Sequence, residues 1–294
     1  KASFSAVEQR NPAANYHKMS LDELKKEIPG IDWNSFLNGI GVKGVTELSV
    51  SQVEPIKEVE KIINSLPVEN QIAYMQWSLI DRAAGYLSDD LVAQNFDFYG
   101  KIIKQEHPND LNTIVNKYYQ LDETYEPSDL VEINTNAGTY GSSYSKHTAR
   151  KVIYDDFQAL KQACINKGFE LYVTSGYRST AWQKEIYNHM VETYSVERAD
   201  ETCSRPGHSE HTTGLGLDIA LDQYKYEEVE NHPQYQWFLS QLSNYGFILR
   251  YPKDKENLTG YSYEAWHIRY VGKELAQKIE KSGLTFDEYY ARHF

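Results

Sequence analysis

Between Ser204 and Asp218 the chain reads Ser-Arg-Pro-Gly-His-Ser-Glu-His-Thr-Thr-Gly-Leu-Gly-Leu-Asp, and Glu264-Ala-Trp-His267 follows later. These stretches offer two imidazoles, a carboxylate that can act as a third ligand, and a spare carboxylate. Three protein ligands with one open position describe a catalytic zinc site, in which His nitrogen and Asp oxygen sit roughly 2.0–2.2 Å from the metal. Such a metal lowers the pKa of water from 15.7 to about 7, and a carboxylate that is not a ligand can then move its proton. Asp218 and His267 supply two of the ligands. His208 and His211 are three residues apart, so spacing alone allows either as the third. Glu264 is the spare carboxylate. Of the nine histidines, His17, His107, His147, His189, His232 and His293 lie in polar stretches and read as solvated.

Positioning these groups needs strands and a tight connection. Gly214 and Gly216 suit a turn between two strands that brings His211 and Asp218 together. Trp266-His-Ile-Arg-Tyr-Val271 has the aromatic and β-branched content of a strand. Glu170-Leu-Tyr-Val-Thr174 alternates like a half-buried strand and leads into Ser175-Gly-Tyr-Arg-Ser179, a turn where site residues commonly sit. Arg178, always charged, can stabilise an oxyanion there. Ile153, Phe157, Leu160 and Cys164 form an apolar helical stripe. With only Cys164 and Cys203 in the chain, the expectation is two separate thiols rather than a disulfide.

Together, Ser175-Gly-Tyr-Arg178-Ser, Gln183, the Ser204–Asp218 run, Tyr245-Gly-Phe-Ile-Leu-Arg-Tyr-Pro252, Thr259-Gly260 and Glu264-Ala-Trp-His267-Ile-Arg-Tyr-Val-Gly272 resemble the VanY-type zinc D-alanyl-D-alanine carboxypeptidases, a family that includes L,D-carboxypeptidases. The resemblance implies a single zinc ion held by His211, Asp218 and His267, which selects His211 over His208. It implies Glu264 as catalytic base, Arg178 as the group polarising the scissile carbonyl, and Gln183, Ser209, Ser175 and Tyr177 at the substrate. Ala265 stands where the family usually has Pro. The implied reaction removes the C-terminal D-alanine of peptidoglycan stem peptides outside the cytoplasmic membrane. The alternatives are L,D-carboxypeptidase action on tetrapeptide stems and, in another class, a non-catalytic zinc-containing cell-wall binding module. A pure binder has no need of both Glu264 and Arg178.

The fold class expected is α+β: a zinc peptidase domain over 106–294, with an antiparallel sheet and flanking helices, preceded by a small helical accessory domain over 1–105. The polar stretch Gln105–Asp110 reads as the linker. Ahead of it, Ser20-Leu-Asp-Glu23 is a capping box, Pro29-Gly30 a stop, and Ile56/Val59/Ile63/Leu66 and Ile72/Met75/Leu79/Ala83 are helical stripes. Asn15–Leu24, Pro29–Trp33, Tyr74–Trp77 and Asn95–Gly100 resemble part of the helical non-catalytic region of neprilysin-type endopeptidases. The His-Glu-x-x-His of those enzymes is absent, so their proteolytic activity does not carry over. At 294 residues and a net charge of −12, the chain is too acidic for a nucleic-acid or anionic-membrane partner. No apolar run reaches the length of a membrane span. No leader peptide is read in these residues, and the expectation is an exported protein in mature or trimmed form.

Overall fold

The computed structural model describes residues 18–20, 47–49, 102–117, 119–133 and 146–294. Near the N-terminus, strands β1 (Lys18–Ser20) and β2 (Glu47–Ser49) pair antiparallel. The helices expected over the rest of 1–101 lie outside the described residues.

The chain divides into two compact units, one of which comprises Ile103–Glu256 and Gly260–Phe286. It holds an α+β fold. In chain order its elements are β3 (Ile103–Lys104), β4 (Tyr119–Gln120), β5 (Leu130–Glu132), β6 (Thr148–Arg150), α1 (Tyr154–Lys167), β7 (Leu171–Ser175), α2 (Thr180–Thr193), α3 (Val196–Thr202), β8 (Gly216–Leu221), β9 (Tyr224–Lys225), α4 (Tyr235–Gln241), β10 (Phe247–Tyr251), β11 (Glu264–Tyr270) and α5 (Lys273–Ser282). The central sheet runs β10-β11-β8-β7, with β9 also on β8, and every pairing is antiparallel.

Alternation sorts this sheet into two faces. Leu171 and Val173 of β7, Leu217, Ile219 and Leu221 of β8, and Ile268 of β11 join Phe157, Leu160 and Cys164 of α1 and Phe238 of α4 in one buried core. Burying each large apolar side chain contributes roughly 1.5–3 kcal/mol, which holds the sheet against its helices. The intervening positions, Asp218 on β8 and His267 on β11, point the other way, and the register sets them directly opposite each other.

Two local findings differ from the sequence reading. Glu210–Thr213 forms a 3-10 turn rather than a strand, closed by Gly214 at φ 69. A left-handed residue there reverses the chain into β8 without the Cβ clash that other residues suffer. The expected linker is also anchored to the sheet unit. β3 pairs parallel with β4, the Gln105 N–H donates to the Gln120 carbonyl at 2.8 Å, and the Gln105 side chain donates to the Ile114 carbonyl at 2.9 Å. Cys164 and Cys203 are both free thiols.

Candidate active site

Neighbouring strands and the 3-10 turn bring His211, Asp218 and His267 together, with one ligand atom from each lying within 4.8 Å of the others. His211 Nε2 is 3.3 Å, and His267 Nδ1 3.0 Å, from Asp218 Oδ1. Ligands bound tetrahedrally at 2.0–2.2 Å are separated by roughly 3.4 Å, so this donor set fits a zinc ion. The outer nitrogens are engaged as well: His211 Nδ1 meets the Gly176 carbonyl at 2.8 Å, and His267 Nε2 meets Glu210 Oε2 at 3.2 Å.

His208 sits elsewhere. Its Nδ1 is 2.7 Å from the Asn116 carbonyl, and burial pulls its pKa down to about 4. It is a neutral core residue joining the Gly207 loop to the segment before β4.

Glu264 approaches the cluster with Oε2 3.6 Å from His267 Nδ1. On an unbroken strand, residues three apart face opposite sides. The pairing of β10 with β11 shifts register between Leu249 and Tyr251, and Tyr251 lies opposite Glu264. That irregularity turns Glu264 to the His267 side. Burial pushes its carboxyl up to about 8, and the charges of Asp218 and Glu210 act in the same direction against those of His267 and Arg178. His267 moves the opposite way: burial opposes its charge, but hydrogen bonds to Asp218 and Glu210 outweigh it and hold the imidazolium up to about 10. Burial also disfavours the Asp218 charge, yet His211 and His267 keep that carboxylate ionised.

Arg178 lines the same cleft, of about 620 Å³, together with Gln183, Ser209, the three clustered residues and Glu264. Its backbone N–H donates to the His211 carbonyl at 3.1 Å, Nη1 to Gln183 Oε1 at 2.8 Å, and Nη2 to Ser175 Oγ at 3.1 Å. Gln183 is itself buried on α2 and donates to the Ser204 carbonyl at 2.6 Å. The guanidinium is thus held by two side chains. Ser175 therefore supports Arg178. Tyr177, expected at the substrate, is not a lining residue. Its N–H donates to the Thr148 carbonyl at 2.6 Å, and its phenol pKa is raised first by burial and then by Glu126 and Tyr125. Ile186, Met190, Tyr226 and Trp266 give the cleft an apolar flank.

Glu210, Arg250 and Arg269 went unassigned in the sequence reading. Glu210 Oε1 accepts from Arg250 Nε at 2.6 Å and from Arg269 Nη1 at 2.9 Å, and the side chains of all three are fully buried. Two-residue alternation from His267 places Arg269 on the site face, a signal available in sequence. The buried partner of an isolated arginine is not.

Comparison with known proteins agrees with this geometry. The family model for VanY, D-alanyl-D-alanine carboxypeptidase, matches residues 146–273, and that for peptidase family M13 matches residues 1–121. YodJ of Bacillus subtilis (strain 168) is 38% identical over 190 residues, spanning 64% of this chain and 69% of YodJ. The solved structure of the LdcB LD-carboxypeptidase superposes with a TM-score of 0.60 at 37% identity, covering 65% of this chain and 90% of that one. A vancomycin-resistance D,D-pentapeptidase VanY, solved in complex with Zn(II), gives a TM-score of 0.50 at 32% identity over 60% of this chain and 97% of its own. With these matches added to the His-Asp-His cluster, the chain belongs to the VanY D-alanyl-D-alanine carboxypeptidase family.

Proposed function

We propose that this protein is a zinc D,D-carboxypeptidase that removes the terminal D-alanine from peptidoglycan stem peptides. The observation carrying this reading is the meeting of a His-Asp-His cluster with a partly buried, non-ligand Glu264 and a braced Arg178 in one cleft. His211, Asp218 and His267 are the residues to hold the metal. When bound, zinc supplies Lewis-acid polarisation of the scissile carbonyl and makes water acidic enough to attack near neutral pH.

Glu264 accepts the proton of the attacking water and returns it to the leaving amine nitrogen, so one water is consumed and one amide bond broken. Arg178 donates to the carbonyl oxygen as its charge grows. It reaches this position without reorganising, because Ser175 and Gln183 already hold two of its N–H groups. Arg178, braced by Gln183, and Ser209 are also donors for a terminal carboxylate, whose recognition excludes chains that continue past the cut. A binding module needs neither a partly buried proton carrier nor a braced cation.

Such stem peptides lie outside the cytoplasmic membrane, so this reading places the protein on that side. Among the described residues no helix is long and apolar enough to cross a membrane. L,D-carboxypeptidase action on tetrapeptide stems is the second reading, favoured by the higher similarity to LdcB than to the VanY structure. Mass spectrometry of defined stems incubated with zinc-loaded protein tests both. Release of D-alanine from the pentapeptide, faster than from the tetrapeptide and lost on C-terminal amidation, is expected. Faster release from the tetrapeptide moves the assignment to the second reading, and release from neither removes the enzymatic one.

A further inference from the structure

Glu210 takes no part in the reaction above, yet it is the most enclosed carboxylate at the site. Its side chain is fully buried beside two fully buried arginines. Buried ion networks of this kind are a weak source of stability, since desolvation offsets most of their attraction. Their geometry is the more telling feature. Oε1 is clamped by Arg250 Nε at 2.6 Å and Arg269 Nη1 at 2.9 Å, and Arg269 is in turn fixed by the carbonyls of Leu111 at 2.9 Å, Thr113 at 2.6 Å and Tyr270 at 2.9 Å. Oε2 is left facing His267 Nε2 at 3.2 Å. A Cβ on Gly216 comes within 3.2 Å of both that nitrogen and Glu210 Cβ, so a glycine there leaves the contact room.

A neutral imidazole carries one proton, and its position decides which nitrogen can bind a metal. In the metal-free protein both ring nitrogens of His267 face a carboxylate; once a cation takes the place of the Nδ1 proton beside Asp218, Glu210, which only accepts, keeps the remaining proton on Nε2 and leaves the Nδ1 lone pair for the metal. His211 has the opposite arrangement. The Gly176 carbonyl draws its proton to Nδ1 and leaves Nε2 facing Asp218. The two histidines therefore need opposite tautomers, each set by its own acceptor.

We propose that Glu210, clamped by Arg250 and Arg269, is a positioning residue that holds the His267 ring with its proton on Nε2 and its Nδ1 lone pair turned to the metal position. The proposal rests on the ligand assignment made above.

Glu210→Gln is a near-isosteric test. The arginines offer only donors, so the amide oxygen must face them and the amide NH2 must face His267. That NH2 donates to Nε2 and forces the ring proton onto Nδ1, where it blocks the metal. Zinc affinity, measured by competition with a chromophoric chelator on protein whose fold is verified by circular dichroism, should fall roughly 10–100-fold. Long-range 1H–15N NMR on zinc-loaded wild type is independent of whether that variant folds. It should show His267 protonated at Nε2 and His211 at Nδ1. Wild-type zinc affinity in folded E210Q, or His267 ligated through Nε2 in the wild type, overturns the proposal. A wild type that takes up no zinc overturns the ligand assignment as well, which separates the two failures.

Discussion

Glu264 and His267 sit side by side with pKa values displaced upward, although burial acts on them in opposite directions. Burial raises Glu264, whereas His267 is raised by acceptor carboxylates despite its burial. If Glu264 carries the proton, Glu264→Ala keeps zinc and loses about 10²–10⁴ of turnover, read from kcat alongside metal content. Arg178→Ala should also keep zinc while losing on the order of 10²–10³ in kcat. Arg178→Lys should not restore it, because a single ammonium cannot reproduce the fork held by Gln183 and Ser175. His267 gives a pH prediction. In the metal-free protein its folded value, about 10, lies above the unfolded value of about 6.5. Its stabilisation is therefore complete below about pH 6.5 and is lost as pH rises through 10. Glu264, raised to about 8, favours its protonated form in the fold and changes stability in the same sense. Thermal unfolding in chelator should show declining stability from neutral to alkaline pH. Zinc requires the neutral imidazole, so its affinity should instead climb with pH, and calorimetry in buffers of different ionisation enthalpy should detect the released proton.

At the scale of elements, the site depends on one register and one turn. β8 and β11 pair so that Asp218 faces His267, and the 3-10 turn over Glu210–Thr213 delivers His211 from the side. Gly214 closes that turn at φ 69, and a Cβ there meets Arg150 Cγ at 2.8 Å. Gly214→Ala should therefore cost at least about 1–2 kcal/mol from backbone strain alone, read as a lowered unfolding midpoint. Zinc affinity should fall with it, since the turn carries a ligand. The strands β7 and β11 were legible from alternation and β-branched content, and α1 from its apolar stripe. The 3-10 turn was not, because its few residues carry no period. The register shift opposite Tyr251, which swings Glu264 to the His267 side, was also hidden, since it arises between two strands.

For the molecule as a whole, the stretch expected to be a linker is part of the unit that holds the site. Leu111 and Thr113 accept from Arg269, and the Leu121 N–H donates to the Gly207 carbonyl at 2.8 Å. A fragment spanning 102–294 should accordingly fold, bind one zinc and release D-alanine. A fragment beginning at 122 leaves the fully buried Arg269 without those two carbonyls, a loss of about 1–3 kcal/mol for each unsatisfied group. It should bind zinc more weakly and unfold at lower temperature. Retained affinity and stability in the shorter fragment contradicts this account.

From residue types, spacing and family resemblance alone, the chain pointed to zinc, to three candidate ligands, to Glu264 as a spare carboxylate and to Arg178 as a candidate for the oxyanion. Those are properties of side-chain chemistry and local order, and they survive without coordinates. Spacing left His208 and His211 equivalent; resemblance chose between them, and the structure then showed His208 occupied with the Asn116 carbonyl. Tyr177 and Ser175 were expected at the substrate from the resemblance. Only the tertiary structure showed the Tyr177 N–H bonded to the Thr148 carbonyl and the Ser175 hydroxyl accepting from Arg178. The Glu210–Arg250–Arg269 network likewise joins residues 40 and 59 positions apart in the chain. Long-range burial decides which charged groups must meet, and no local pattern encodes it.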